Sequence, residues 1–329
     1  MASVCSGKTK QTVGWVFLDF CIAINTILSL FYNCKSLFLK MKTLLFPTDF
    51  SENATHAIKY GYYLARQIKA DIILCNAVVT VAEEPQAGLG AWPLEESDIL
   101  LKYSLKELVK LKSSIEQSRN KSGFHPSIRY LNQSGILTEV VNHIIADEKV
   151  NLVVIGTHGS SGLTTLLLGN HSRSMIDNIT SPLLLIAPAA KLLPVKKIAF
   201  ATDFKNPEED IIAISFLVAL AKPLNAEILL THIYEDQDKS TEFQKWIKQF
   251  VNELPARVHF SNIQYSMYKS NGAQSGLEWL CENGHIDILA MVHRPHNFID
   301  SLFRGSQTQK TTGQISIPLL VFPAKAYLF

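Results

Sequence analysis

The residues with the clearest chemical meaning form a glycine-rich segment that follows an apolar run, residues 152–155. Gly156 and Gly159 come first, and nine residues separate Gly159 from Gly169, where a helical stretch begins with Asn170 and His171. Glycine lets the backbone approach an anion closely, and the first turn of a helix presents unpaired N–H groups and the positive end of a dipole. The spacing therefore predicts a phosphate-binding cradle and, with it, a nucleotide-binding protein.

The overall composition limits what the chain can be. It has 329 residues, 47% of them hydrophobic, which is enough for two domains with ordinary cores. Lys and Arg number 31 and Asp and Glu number 29, and this balance argues against a nucleic-acid-binding protein, which would carry a concentrated basic face. The five cysteines are scattered without metal-ligand spacing, as is typical of reduced thiols, so we expect a cytoplasmic protein.

The first forty residues differ from the rest of the chain. They contain four lysines and one aspartate, a net charge of +3. Residues 20–34 carry no charge, but a membrane span needs about 20 apolar residues, so we do not expect a membrane anchor. A signal peptide is a second interpretation, although no clear small-x-small cleavage site follows the run. We favour a third: Met41 is the natural start, and residues 1–40 are an extension outside the fold.

From residue 41 onward the chain repeats itself. The pair Thr48-Asp49 recurs as Thr202-Asp203, at an offset of 154 residues, and the closing strands recur at an offset of 136. The matched segments are 42–50 with 197–204, 70–74 with 226–230, 151–155 with 286–290, and 181–185 with 317–321. A repeat of this length predicts two domains, residues 41–190 and 191–329. The short connection, residues 187–194, indicates that the two domains pack against each other.

Each copy alternates short apolar runs with longer amphipathic ones. In the first copy the pattern predicts strands at 42–46, 72–78, 127–131, 151–155 and 182–186, and helices at 52–69, 95–120, 136–148 and 170–179. Strands that are apolar throughout and separated by helices indicate a parallel sheet covered on both faces. The sequence therefore predicts an α/β fold with two tandem, doubly wound, five-stranded parallel sheets. Ligands bind such sheets at the carboxyl ends of the strands, where Thr48-Asp49 and the glycine turn both fall.

These motifs together match a known family. Pro47-Thr48-Asp49 after a first strand, the Gly156-x-x-Gly159 turn, Gly169 and the closing strand Pro-Leu-Leu-Leu-Ile resemble the universal stress protein (UspA-like) family in its tandem, two-domain form. The resemblance covers residues 41–323. It implies a Rossmann-like fold of the adenine nucleotide alpha hydrolase-like type, ATP binding, and a role in the stress response.

The resemblance also implies a role for each matched residue. Asp49 would contact the adenine, Pro47 and Thr48 would shape the turn beside it, and Ala77 would pack on the nucleoside. The family usually has Ser or Thr after the second glycine, where this chain has an asparagine whose side-chain amide can donate to a phosphate oxygen. Mg²⁺ would accompany the nucleotide. The ribose and phosphates would be held by Ile155, Gly156, Gly159, Gly169, Asn170 and His171.

The second copy departs further from the family pattern. The same spacing puts Val292 and Pro295 where the turn glycines should be, although Gly305-Ser306 persists. Valine resists positive φ, and proline lacks an N–H donor, so we predict that the phosphate cradle is lost there. Asp203 is then structural, and the chain binds one nucleotide, in its first domain.

Other interpretations remain open at this point. The first is a nucleotide-independent interaction protein, in which strands 183–186 and 319–322 serve domain pairing or homodimer formation. The second is a nucleotidyl-transfer enzyme, although no placed base or nucleophile is evident, and at most slow ATP hydrolysis or autophosphorylation is implied. Asp49 could instead cap the following helix. We interpret His232 as a satisfied core histidine and the segment 293–296 as a solvated polar loop. An unidentified protein partner would read the ATP-bound state.

Overall fold

The computed structural model describes residues 40–79, 92–118, 122–157, 170–234, 241–294 and 316–323, with the backbone alone described at 92–97 and 170–171. Apart from Lys40, all of these residues belong to one unit, Met41–Phe329. Within them, no helix is long and apolar enough to cross a membrane. The predictions for residues 1–39, Gly159, Gly169, Pro295 and Gly305 lie outside the described residues.

The first copy follows the predicted order of strands and helices, with boundaries that shift by one to three residues. Its elements are β1 (Thr43–Pro47), α1 (Glu52–Ile68), β2 (Asp71–Val78), α2 (Trp92–Gln117), β3 (Ile128–Ser134), α3 (Leu137–Glu148), β4 (Leu152–Gly156), α4 (Asn170–Asn178) and β5 (Leu183–Ile186). The strands β1, β2, β4 and β5 are largely apolar and buried along most of their length, whereas β3, at the edge of the sheet, is largely half-exposed.

The second copy repeats this order except for the helix that would precede its last strand, where the chain lies outside the described residues. Its elements are β6 (Lys197–Ala201), α5 (Pro207–Leu224), β7 (Glu227–Tyr234), α6 (Thr241–Arg257), β8 (Ile263–Lys269), α7 (Ala273–Asn283), β9 (Ile288–His293) and β10 (Leu319–Pro323).

Local sequence signals set the ends of the first helix in each copy. Ser51 caps α1, because its side chain accepts a hydrogen bond from the amide of Ala54 at 3.2 Å. In α5, Asn206 is the N-cap residue and Pro207 the first helical residue, but the Asn206 side chain makes no capping hydrogen bond. Both helices end in a left-handed residue, Lys69 or Asn225.

Ten strands of the described residues form one continuous sheet in the order β3-β2-β1-β4-β5-β10-β9-β6-β7-β8. Within each copy the pairing is parallel, and the order reverses next to the first strand, as in a doubly wound fold. Right-handed crossovers then place helices on both faces of the sheet. The two predicted five-stranded parallel sheets are present, and β5 and β10 join them into one sheet by pairing antiparallel, with Leu184 opposite Leu320.

Strand register gives the correspondence between the copies independently of the glycine motif. Leu44 pairs with Leu152 in the first copy, and Ile198 pairs with Ile288 in the second. The offset is therefore 136 residues along β4 and β9, which makes Gly156 equivalent to Val292. The same offset matches Asn151 with Asp287, and each accepts hydrogen bonds from two amides at the start of the first strand of its copy. The sequence alignment, which matched residue 151 with 286, was one residue out at this strand.

Candidate functional site

The residues after β1 form a tight turn that the chain builds from its own side chains. The amide of Phe50 donates to Thr48 Oγ1 at 3.0 Å, and the amide of Ser51 donates to Asp49 Oδ1 at 3.0 Å. Phe50 has a φ of 64°, in the left-handed region that non-glycine residues seldom occupy. Thr48 is buried and Asp49 is exposed at the carboxyl edge of the sheet. The hydroxyl and the carboxylate thus offset the strain of the turn and aim Asp49 outward.

The second copy builds the same turn with the same residue types. The amide of Phe204 donates to Thr202 Oγ1 at 2.8 Å, the amide of Lys205 donates to Asp203 Oδ1 at 3.1 Å, and the φ of Phe204 is 57°. The Thr-Asp-Phe motif therefore has a structural role in both copies. In α1 the helix cap is Ser51, while Asp49 holds the amide of that cap residue.

Gly156 ends β4 directly against the start of α1. A Cβ at this position would lie 2.5 Å from the carbonyl oxygen of Asn53 and 3.2 Å from the amide of Ala54. Its φ lies outside the left-handed region, so the argument that valine at the equivalent position fails because of positive φ was wrong. Glycine is needed because the first turn of the helix approaches the strand too closely for any side chain.

Adjacent strands bring most of the described candidate residues to one edge. β1 lies between β2 and β4, so the turn after Pro47 sits beside half-buried Ala77 and the end of β4, where Ile155 is buried. Asn170 and His171 are the first two residues of α4, with only their backbone described. The candidate residues of β1, β2 and β4 are thus brought together at one edge of the sheet, while Asn170 and His171 lie at the start of α4.

The equivalent edge of the second copy contains an arginine that the sequence analysis missed. Arg294 follows β9, and its guanidinium lies 2.8 Å from Asp210, 2.9 Å from Glu209 and 3.3 Å from Asp203. It also donates to the carbonyl of Asn206 at 3.4 Å. The interpretation of this segment as a solvated loop was wrong for Arg294, whose side chain is 11% exposed. Buried charges need partners, and only the tertiary contacts reveal these three carboxylates.

Burial and pairing compete at this cluster. Asp210 is fully buried, which raises its pKa, although hydrogen bonds from Thr202 and Arg294 and the positive charge of Arg294 oppose the rise. Burial also disfavours the charged form of Arg294, but the carboxylates of Asp210, Glu209 and Asp203 hold its pKa above the usual value. On balance the pKa of Asp210 is raised, because a carboxylate with no solvent contact loses more solvation free energy than hydrogen bonds from two donors restore.

Two histidines of the second copy occupy structural positions. His232 is buried, and its Nδ1 lies 2.9 Å from the carbonyl oxygen of Thr202, while its Nε2 has no partner within the described part of the chain. The prediction of a satisfied core histidine therefore holds for one ring nitrogen. His293, predicted to lie in the solvated loop, ends β9, and its Nε2 lies 3.1 Å from Asp177 of α4 in the first copy. Among the described residues, no group of His, Cys, Asp and Glu side chains could hold a metal ion.

The parallel strands, their 3-2-1-4-5 order in each copy and the turns at the carboxyl edge define a doubly wound α/β protein of the Rossmann-like class. A family model described as "Universal stress protein family" matches residues 40–187. A universal stress protein of Methanocaldococcus jannaschii is 30% identical over 156 residues, which cover 44% of this chain and 94% of that protein. The chain therefore belongs to the universal stress protein family. A universal stress protein of Bacillus subtilis is 27% identical over 148 residues, covering 44% of this chain and 97% of that protein.

Solved structures extend the likeness of the fold over both copies. The crystal structure of a universal stress protein from Archaeoglobus fulgidus matches with a TM-score of 0.58 and 15% identity, covering 86% of this chain and 99% of that one. A putative universal stress protein from Pseudomonas aeruginosa matches with a TM-score of 0.55 and 11% identity, covering 88% of this chain and 95% of that one. At these identities the likeness shows the fold alone.

Proposed function

We propose that this universal stress protein is an ATP-binding stress-response and signalling module with one nucleotide site, at the carboxyl edge of the first copy. The observation that carries the proposal is the difference between the two edges. The guanidinium of Arg294 lies against three carboxylates at the edge of the second copy, where Asp203 is half-buried, whereas Asp49 at the edge of the first copy is exposed. A carboxylate at the surface of such an edge can accept a hydrogen bond from the amino group of adenine.

The shape of the two edges supports the same asymmetry. β4 ends in Gly156, whereas β9 carries the side chain of Val292 at the equivalent position and continues into Arg294. An arginine bonded to three carboxylates fills the second edge from within the chain. We therefore assign the nucleotide to the first copy and a structural role to the second, with domains 41–190 and 191–329.

The residues that would hold the nucleotide fit it on the base side. Pro47, Thr48 and Ile155 are buried, and half-buried Ala77 has a small side chain against which a flat ring would pack. The phosphates would lie at the start of α4, with Gly159, Gly169, Asn170 and His171 around them. Because the described residues offer no metal-binding cluster, Mg²⁺ would be held chiefly by the phosphate oxygens.

The two alternative functions, an interaction protein that binds no nucleotide and a nucleotidyl-transfer enzyme, would require different structural features. The antiparallel pairing of β5 with β10 supports pairing of the two domains within one chain, which leaves the nucleotide edge accessible. The described part of the first edge offers no base aligned with a nucleophile, so we propose binding and signalling rather than a committed reaction. A protein partner would recognise the ATP-bound state.

ATP binding can be tested by calorimetry and thermal shift on the full chain with ATP and Mg²⁺. At a ligand concentration of about 100 times Kd, binding stabilises the folded state by about 2.7 kcal/mol, which raises Tm by several degrees. Asp49→Asn keeps an oxygen for the Ser51 amide but removes the charge, and should weaken ATP binding about tenfold.

Asp203→Asn is the matched control, because it makes the same change at the same turn of the other copy. It should leave ATP binding unaltered. If the wild-type chain showed no heat of binding and no change in Tm on addition of ATP, the proposed function would be refuted. If Asp203→Asn weakened ATP binding and Asp49→Asn did not, the nucleotide would be bound by the second copy, and its assignment to the first copy would be wrong. Analysis of the nucleotide after incubation would detect hydrolysis or nucleotidyl transfer.

A further inference from the structure

The carbonyl of Thr48 is held by a side chain from the neighbouring strand. Asn76, in β2, donates from Nδ2 to this carbonyl oxygen at 2.6 Å, and both residues are buried. The amide of Thr48 donates to the carbonyl of Cys75 at 2.8 Å, and its hydroxyl accepts from the amide of Phe50. Every polar atom of Thr48 is therefore engaged, and β2 supplies the partners of the two backbone atoms.

A serine of α2 fixes which end of the Asn76 amide faces Thr48. Ser104 Oγ lies 2.6 Å from Asn76 Oδ1 and 2.8 Å from Asn132 Oδ1, and Asn132 donates from Nδ2 to the carbonyl of Leu101 at 2.7 Å. The single hydroxyl hydrogen can serve one amide oxygen at a time. If Asn76 were flipped, its oxygen would face the Thr48 carbonyl, and two acceptors cannot bond. The Thr48 carbonyl therefore requires this orientation of the Asn76 amide, and the Ser104 hydroxyl, which lies closer to Asn76 Oδ1 than to Asn132 Oδ1, supports it.

The second copy makes the same contact with different chemistry. His232 is at the position equivalent to Asn76, and its Nδ1 lies 2.9 Å from the carbonyl of Thr202. A carbonyl oxygen only accepts, so Nδ1 carries the hydrogen. The rest of the His232 ring packs between Phe204 and Phe243, at centroid distances of 5.4 and 5.8 Å. Both copies thus keep a buried donor on this carbonyl, although one uses an amide and the other an imidazole.

We propose that Asn76 is a positioning residue for the nucleotide site, which sets the direction of Asp49 by holding the preceding carbonyl. The inference rests on the proposed function in so far as Asp49 receives the adenine. Thr48 precedes a left-handed Phe50 in a strained turn, and a released carbonyl would let the turn relax. Asp49 would then point in several directions, and part of the binding free energy would be spent on ordering it.

The test uses three variants of the full chain and two measurements. Asn76→Leu keeps the shape and removes the donor, Asn76→His introduces the donor that the second copy uses, and His232→Leu removes the donor of the second copy. Hydrogen exchange of single amides is followed by NMR without ligand, and ATP binding with Mg²⁺ is measured by calorimetry. The informative amides are those that close the turns, at Phe50 and Ser51 in the first copy and at Phe204 and Lys205 in the second.

We expect Asn76→Leu to accelerate exchange at Phe50 and Ser51 and to weaken ATP binding about tenfold, the cost of one buried hydrogen bond. Asn76→His should restore both to within about threefold of the wild-type chain. His232→Leu should accelerate exchange in its own turn and leave ATP binding unchanged. If Asn76 served only the stability of the fold, Asn76→Leu and Asn76→His would both bind ATP as the wild-type chain does whenever they fold. Rescue by histidine shows that weaker binding comes from loss of the hydrogen-bond donor and not from loss of packing.

Unchanged exchange at Phe50 and Ser51 in Asn76→Leu would overturn the inference, and so would accelerated exchange with wild-type ATP affinity. If Asn76→Leu does not fold, Ser104→Ala replaces it, since it leaves Asn76 in place but removes the hydroxyl that orients the amide; the same two effects are expected, and their absence again overturns the inference. If the wild-type chain binds no ATP yet the exchange pattern holds, the proposed function fails, while the hold of Asn76 on the turn is upheld.

Discussion

Replacing Arg294 by methionine is expected to destabilise the chain by about 3–5 kcal/mol at neutral pH, as when one partner of a buried ion pair is removed. The pairs with Asp203 and Glu209 contribute at most about 1 kcal/mol each, because those carboxylates are about one-third exposed. The larger part comes from Asp210, which is fully buried and, among the described residues, keeps only the side-chain hydrogen bond from Thr202 once the guanidinium is gone.

The loss should depend on pH in a defined direction. Burial already raises the pKa of Asp210, so the folded state binds a proton that the unfolded state releases above about pH 4. Stability therefore falls as the pH rises through the folded-state pKa. Arg294 opposes the rise in the pKa of Asp210, so its removal raises this pKa further. The pH range over which stability falls then extends to higher pH in the variant than in the wild-type chain. The difference between wild type and variant should be larger at pH 7.5 than at pH 5.

Urea unfolding, followed by circular dichroism at both pH values, measures this difference. Arg257→Met is the matched control, since it removes an arginine of the same copy whose partner Glu253 is exposed, and it should cost less than about 1 kcal/mol. A loss below about 1 kcal/mol for Arg294→Met, or the same loss at both pH values, would refute the assignment of Arg294 as the internal partner of a buried carboxylate.

Three further outcomes follow from single contacts. Gly156→Ala must push the start of α1 away from β4 by about 1 Å, because the new Cβ would lie 2.5 Å from Asn53 O, and should cost about 1–3 kcal/mol in urea unfolding; an unchanged midpoint would contradict the close approach. Ser51→Ala removes the cap of α1 and should lower the free energy of unfolding by about 1 kcal/mol, whereas Ser51→Asp should largely retain it; equal losses in both would disprove the capping role. Burial raises the pKa of the Cys75 thiol to about 12, so a thiol reagent at pH 8 should label it only after unfolding; labelling of this residue in the native chain, detected by peptide mass spectrometry, would show that the strand opens.

Much of the fold could be predicted from local pattern. Apart from the edge strands β3 and β8, the strands are largely apolar, and the helices carry one apolar face, so period and length separate the two without tertiary information. Serine before a helix and proline in its first turn are local start signals, and α1 and α5 begin beside Ser51 and Pro207. The sequence predictions failed where no local signal exists. One example is the alignment of the two copies at Asn151, which was one residue out. Its equivalent, Asp287, is recognised only by the backbone amides that both side chains bind.

The candidate site also has features that the sequence predicted and features that only the structure shows. Glycine spacing identified Gly156, but the positive φ that was inferred for this position is wrong, since the conformation of the residue is ordinary and its lack of space comes from a helix that is distant in sequence. The Thr-Asp pair was recognised from its repetition, yet its hydrogen bonds show that the turn itself is structural in both copies.

The sequence alone determined the two copies, their alternating strands and helices, and the loss of the glycine from the second cradle, because each depends on neighbouring residues or on comparison of the chain with itself. Only the tertiary structure decided that the two sheets merge through β5 and β10, that Arg294 occupies the second edge, and that Asn76 holds the first turn. Those contacts join residues 28 to 138 positions apart, and the chain must fold before burial and hydrogen bonding can select among such partners.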